Sequence, residues 1–110
     1  MNKSTKNHYG GRILLVDKEI AILLVMESFL RIDQFHVVSM PSGEEGLKQM
    51  KADEPFDFVI SGFTLPGMNG LCFLEQVAEL YQGPVRILMS GGWADSSDVD
   101  LAISKGYISR

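Results

Sequence analysis

Cysteine is almost absent from this sequence. Cys72 stands alone among 110 residues, so no disulfide framework can form within the chain, and nothing calls for an oxidising compartment. Long apolar runs are missing too. The longest, Ile20–Met26, falls far below the roughly 20 residues that a membrane-spanning helix needs. The earlier run Ile13–Val16 is cut short by Asp17, Lys18 and Glu19, unlike the apolar stretch of a secretory signal. An excess of positive charge is also lacking: 10 Lys and Arg against 14 Asp and Glu leave a net charge of −4, with a pI near 5.0. The summed field therefore repels phosphate backbones and anionic lipid, and neither direct nucleic-acid binding nor membrane association is expected. The chain reads as cytoplasmic.

What remains is an ordinary globular composition, 45% hydrophobic and 22% charged, in a chain long enough for one buried core and too short for two. The polar opening, residues 1–11, reads as a flexible tail, and residues 12–110 as the domain. From Arg12 onward, short apolar runs alternate with helical periodicity, the signature of strand–helix units over a parallel sheet. Ile13–Val16 reads as a buried strand. A helix from about Glu19 to Ile32 follows, with Ile22, Val25, Met26 and Phe29 as its core-facing stripe. Phe35–Met40 is a strand that stops at Pro41, and Ser42 with Glu45 forms a capping box for a helix reaching about Ala52.

The second half repeats the pattern. Phe56–Ile60 is a strand, Leu65–Gly70 is a loop with Pro-Gly and Asn-Gly turn pairs, and Leu71, Leu74, Val77, Ala78 and Tyr81 form a helical face ending near Gly83-Pro84. Val85–Met89 is a further strand. A helix to about Lys105 and a last strand, Tyr107–Arg110, complete five strands and four helices. Right-handed crossovers make the economical fold a doubly wound, flavodoxin-like α/β sandwich with strand order 2-1-3-4-5.

In such sheets ligands bind beyond the carboxyl ends of the strands. That places attention on Asp17, Lys18 and Glu19, on Ser61 and Gly62, on Ser90 and on Arg110. Here the sequence resembles the response-regulator receiver domains of bacterial two-component signalling. The resemblance spans Arg12 to Arg110. It rests on L-L-V-D-K-E at Leu14–Glu19, P-S-G-E-E-G-L at Pro41–Leu47, F-D-F-V-I-S-G-F-T-L-P-G-M-N-G at Phe56–Gly70, the strand ending at Ser90, and Tyr107 three positions before Arg110.

The resemblance implies a site in which an aspartate ending the third strand accepts a phosphoryl group. Mg²⁺, held by that aspartate and an acidic pair after the first strand, neutralises the transferring oxygens. A hydroxyl on the fourth strand and a Lys on the fifth hold the product, and an aromatic on the fifth strand carries the signal. Carried over residue by residue, the match fails at the centre. Asp17 keeps one acid of the pair, but Lys18 replaces the other. Gly62 stands where the phosphoacceptor belongs and has no nucleophile. Ser90 keeps the hydroxyl, Tyr107 the aromatic, Arg110 replaces the Lys, and Thr64 sits where the family lends a backbone carbonyl to the metal. A complete site would carry net −2, whereas Asp17, Lys18 and Arg110 carry net +1. At about 5 Å and an effective dielectric near 20, each unit pair is worth on the order of 3 kcal/mol, twice that for a divalent ion. The expectation is a pocket without Mg²⁺ or any other cofactor and without phosphoryl transfer, able to attract an anion.

Other residues have blander readings. His36 on an edge strand reads as solvent-facing and Cys72 as a small core residue. Trp93, beside the pocket mouth, either anchors a partner or merely covers the site. Ser61 and Thr64 neighbour the lost aspartate, but neither has a base beside it in sequence. A cofactor-binding flavodoxin is disfavoured because Asp17–Ile20 has no phosphate-cradling glycine or hydroxyl. The preferred function is therefore a non-catalytic receiver working through a signalling partner, a histidine kinase or an output domain. The alternative is an active receiver phosphorylated by a histidine kinase on a substitute side chain. One further expectation concerns the first helix, where Ile20, Leu23 and Leu24 add a second apolar stripe. In the family a last helix covers that side, and this chain stops at Arg110 before reaching it. The preferred reading is a fragment whose remaining residues supply that helix, with weak homodimerisation through those three residues expected where the helix is absent. The alternative is that another subunit covers the gap.

Overall fold

The computed structural model describes residues 10–89. Ser90, Trp93, Tyr107 and Arg110, with the expected fifth strand and the helix before it, lie outside the described residues. Four strands and three helices alternate: β1 (Arg12–Val16), α1 (Ile20–Ile32), β2 (His36–Met40), α2 (Gly43–Ala52), β3 (Phe58–Gly62), α3 (Gly70–Leu80) and β4 (Val85–Met89). The strands form one parallel sheet in the order β2-β1-β3-β4, the order expected as far as the described residues reach. β1 is buried along its whole length, which explains its unbroken apolar sequence: a central parallel strand has helices over both faces.

The two faces hold separate cores. On one, α2 and α3 pack Met50, Phe73, Leu74 and Val77 against Leu14, Val16 and Val59. On the other, α1 sets Leu23 against Ile13, Leu15, Val37 and Ile60, with Met26 and Leu30 alongside. This follows from handedness. The chain leaves β1 in one direction to reach β2 but moves the opposite way through β3 and β4, so right-handed crossovers send α1 to one face and α2 and α3 to the other.

Local signals set the helix ends. The serine half of the expected capping box is present, with Ser42 Oγ accepting from the Glu45 N–H at 3.2 Å. Asn69 caps α3 by accepting from the Cys72 N–H at 2.9 Å. α1 closes differently: Gln34 takes a left-handed conformation (φ 69°), its N–H donates to Arg31 O, and the Phe35 N–H donates to Leu30 O. That is the Schellman pattern, and Phe35 and Leu30 both pack against the core cluster beneath α1.

Four expectations need correction. The third strand runs Phe58–Gly62 instead of Phe56–Ile60, because the preceding residues are bound by Arg12. The Arg12 backbone N–H donates to Asp57 Oδ2 at 2.8 Å, and its guanidinium donates to Glu54 O at 2.6 Å and Pro55 O. The same guanidinium pairs with Asp53 at 3.1 Å and stacks 4.5 Å over Phe56. Phe56 is thus a buried residue of the loop before the strand. Second, α3 stops at Leu80, before Gly83-Pro84, and its buried stripe includes Phe73, which the spacing argument passed over. Third, Cys72 is exposed, not in the core, since Phe73 and Leu74 take the inward positions.

The fourth correction concerns α1. Its inward side is Leu23 with Met26 and Leu30, while Ile22, Val25 and Phe29, expected in the core, are exposed. Leu23, expected on the outer stripe with Ile20 and Leu24, is only 7% exposed and is therefore no interaction residue. On a helix that is apolar nearly all round, periodicity does not say which stripe meets the sheet.

Candidate functional site

β1 and β3 lie side by side, and the chain turns in opposite directions after each, which makes their carboxyl ends the switch point of the sheet. A cavity of about 530 Å³ opens there between β1, β3 and α1. Its polar rim is Asp17, Lys18, Glu19 and Thr64, and its wall is apolar, formed by Ile22, Val25, Met26, Phe63 and Met89 with Gly62. The structure thus gathers Asp17, Lys18, Glu19 and Gly62, to which the strand ends pointed, with Thr64, to which the resemblance pointed. The apolar contribution of α1 was not foreseen, because those residues had been assigned to the core.

Asp17 is half-buried and held from two sides. Its backbone N–H donates to Met40 O at 3.2 Å. Its Oδ1 accepts the Glu19 N–H at 2.9 Å, the local turn that Asp favours before a helix. That leaves Oδ2 directed at β3. A Cβ built on Gly62 would lie 2.5 Å from Asp17 Oδ2 and 3.2 Å from its Cγ. The Asp17 carboxylate therefore occupies the space into which a side chain at position 62 would grow.

The floor of the site is equally tight. The Ser61 hydroxyl is fully buried and donates to Gly62 O at 2.8 Å. The Gly70 N–H donates to Phe63 O at 2.6 Å, drawing the first turn of α3 against the end of β3. A Cβ on Gly70 would collide with the Gly62 carbonyl and with Phe63 Cα. Lys18, Glu19 and Thr64 are exposed.

The donor set does not fit the divalent cation that the resemblance implies. Of the three carboxylate positions, one is Lys18 and one is Gly62, which leaves Asp17. Among the described residues no group of three or more His, Cys, Asp or Glu is arranged to hold a metal. Glu19, which the charge count did not include, borders the cavity with Asp17 and Lys18, so the described charges there sum to −1, while Arg110, the remaining charge of that count, lies outside the described residues.

Comparison with known proteins agrees with this architecture. The sequence matches the response regulator receiver domain family over residues 13–109. It is 37% identical over 84 residues to the two-component response regulator ORR22 of Oryza sativa subsp. indica, covering 76% of this chain and 12% of that protein. It is 35% identical over 80 residues to the two-component response regulator ARR12 of Arabidopsis thaliana, covering 72% of this chain and 13% of the relative. The chain thus spans about an eighth of these plant relatives. Among solved structures, a CheY-like response regulator receiver domain protein of Methanospirillum hungatei superposes with a TM-score of 0.78 at 28% identity, over 86% of this chain and 74% of the other. The adenylate cyclase of Rhodopirellula baltica does so with a TM-score of 0.82 at 28% identity, over 88% of this chain and 70% of that one.

Proposed function

The chain belongs to the response regulator receiver domain family of two-component signalling, and from that premise we propose that it is a receiver without phosphoryl chemistry, acting by protein–protein interaction. One observation carries this reading: position 62 is a glycine, and the carboxylate of Asp17 fills the space of the missing acceptor. Phosphoryl transfer to an aspartate needs a carboxylate nucleophile and cationic neutralisation of the transferring oxygens. Gly62 removes the first, and Lys18 weakens the second.

A substitute acceptor is poorly supported. Ser61 is buried with its hydroxyl already donating to Gly62 O, and Thr64 is exposed at the rim. The partner is a signalling protein, a histidine kinase or an output domain, and no resident metal or other cofactor takes part. Plant relatives stand beside the bacterial ones, so the reading is not tied to bacteria. No described helix is long and apolar enough to cross a membrane, which is compatible with a cytoplasmic setting.

The test is incubation with a small-molecule phosphodonor and Mg²⁺, followed by intact mass. The expected result is no adduct on the natural chain. A stoichiometric phosphoryl adduct would overturn the proposal and direct attention to the substitute side chain. The Gly62→Asp, Lys18→Asp double variant, which restores both carboxylates, asks whether the scaffold is otherwise competent.

A further inference from the structure

Among the described residues β2 is an edge of the sheet, opposite the edge at which the chain continues beyond Met89. Its ladder to β1 uses every second residue. The His36 N–H donates to Gly11 O, and Met40 O accepts the Asp17 N–H. The backbone groups of His36, Val38 and Met40 therefore face β1, and those of Val37 and Ser39 face away from it. Such a row of outward N–H and C=O groups is a template on which another strand pairs.

Side chains of α1 reach across this row. Arg31 Nη2 donates to Val37 O at 3.0 Å and pairs with Glu27 Oε1, one helical turn earlier, at 3.4 Å. Glu27 Oε2 accepts the Ser39 hydroxyl. Both carboxylate oxygens of Glu27 are thus engaged, and the network runs from Val37 through α1 back to Ser39. The Arg31 side chain is 54% exposed and that of Glu27 24%, so burial does not fix the guanidinium on the carbonyl, and the anchored carboxylate does. An ion pair this exposed adds little to stability. Its place on the sheet edge is the informative feature. Two β2 strands laid antiparallel about Val38 would set Val37 of one copy opposite Ser39 of the other. Each Ser39 N–H would then donate to the Val37 O opposite it, and each Val37 N–H to the Ser39 O. Arg31 already stands on the Val37 acceptor, and the twofold axis would bring two guanidinium charges to one seam.

We infer that Arg31, positioned by Glu27 and Ser39, guards the open edge of the sheet and keeps a second copy of this chain from adding its β2 there. This goes beyond the proposed function and holds whatever the fate of phosphoryl chemistry at Gly62. Strands of five residues pair over far less than the roughly 800 Å² per partner of a standard interface. An edge released from Arg31 therefore associates weakly, and concentrated protein is needed to see it.

The test compares the full 110-residue chain with Arg31→Ala by sedimentation equilibrium up to about 0.5 mM. At equal concentration the weight-average mass of the variant should rise above that of the natural chain, from 12.2 kDa toward twice that value. In amide hydrogen exchange followed by NMR, the Val37 and Ser39 N–H groups of Arg31→Ala should slow as it associates, by about twofold when half the chains are paired. Those of the natural chain should not. Adding Ser39→Pro to Arg31→Ala should abolish the gain, because proline has no N–H to donate and is tolerated where that N–H faces outward. Circular dichroism verifies that the variants fold, and if Ser39→Pro unfolds the chain, the amide exchange of Arg31→Ala decides by itself. An Arg31→Ala chain no more associated than the natural one would overturn the inference. So would association that leaves the Val37 and Ser39 amides unchanged, or that survives Ser39→Pro in a folded chain.

Discussion

The two faces of the sheet solve the same problem differently. On the α2/α3 face, two helices bring their apolar stripes inward, and Phe73, Leu74 and Val77 lose all contact with water. On the α1 face, among the described residues, one 13-residue helix buries Leu23 with partial help from Met26 and Leu30, and leaves most of its apolar surface outside. Their attachments differ as well. The end of α2 is tied to β1 by the Asp53–Arg12 pair, whereas α1 is tied to the edge strand β2, with Arg31 donating to Val37 O at 3.0 Å and Ser39 donating to Glu27, and ends in a turn closed by its own backbone. One face is built for stability. The other, among the described residues, leaves most of its helix's apolar surface uncovered.

The sharpest way to break that contrast is a pair of Phe→Ala substitutions read by denaturant unfolding. Phe73→Ala empties a fully buried position and should cost about 3–5 kcal/mol, while Phe29→Ala, largely in solvent already, should stay within about 0.5 kcal/mol when measured at dilute protein. Equal losses would mean that the α1 face is as closed as the other. Next in size is Gly70→Ala. Its Cβ meets backbone atoms of β3 and not a side-chain tip, so a loss of about 2–3 kcal/mol is expected, with α3 displaced from the end of β3.

At the site between the faces, Gly62→Ala should cost about 1–2 kcal/mol because Asp17 must move aside. Asp17→Ala should recover part of that loss in a double-mutant cycle, and additive losses would show that the Asp17 carboxylate is not the obstacle.

A smaller effect appears in acid. The Gln49 side chain, then the Glu54 N–H, then the Arg12 guanidinium favour the charged form of Asp53 and hold its carboxyl below its usual value near 3.8. A carboxylate with a depressed folded-state pKa contributes stability that is fully present above the unfolded value and is lost as pH falls through the folded one. Unfolding midpoints of the natural chain should therefore decline below about pH 4, and Asp53→Asn should flatten that decline while lowering stability at neutral pH. A steeper decline in the variant would refute the assignment. Smallest is Gln34→Gly. A glycine relieves the left-handed strain at the end of α1 but adds freedom to the unfolded chain, so a gain of about 0.5 kcal/mol in thermal unfolding is expected.

Much of this architecture was legible in the sequence because its signals are local. Ser42 and Glu45 specify a helix start through a hydrogen bond three residues apart, and the bounds of β4 follow from a mostly apolar run after Gly83-Pro84. The start of β3 was not legible. Arg12 lies more than 40 residues from the backbone carbonyls that it binds, and no window over Phe56–Ile60 contains it. Phe73 and Cys72 exchanged roles for a related reason: both fit an apolar helix, and which of them faces β1 depends on how α3 is rotated by Gly70 against β3.

The amino-acid order by itself determined the alternation of strands and helices, the parallel sheet, and the gathering of Asp17, Lys18 and Gly62 at the switch point. Period, caps and handedness act over a few residues or through general chirality. Only the tertiary structure decided which stripe of α1 meets the sheet, because Leu23 and Phe29 are equally apolar and differ only in what lies beneath them. It also decided that the Asp17 carboxylate fills the space beside Gly62, since the separation of two groups on neighbouring strands depends on register and packing, which the residue types do not encode.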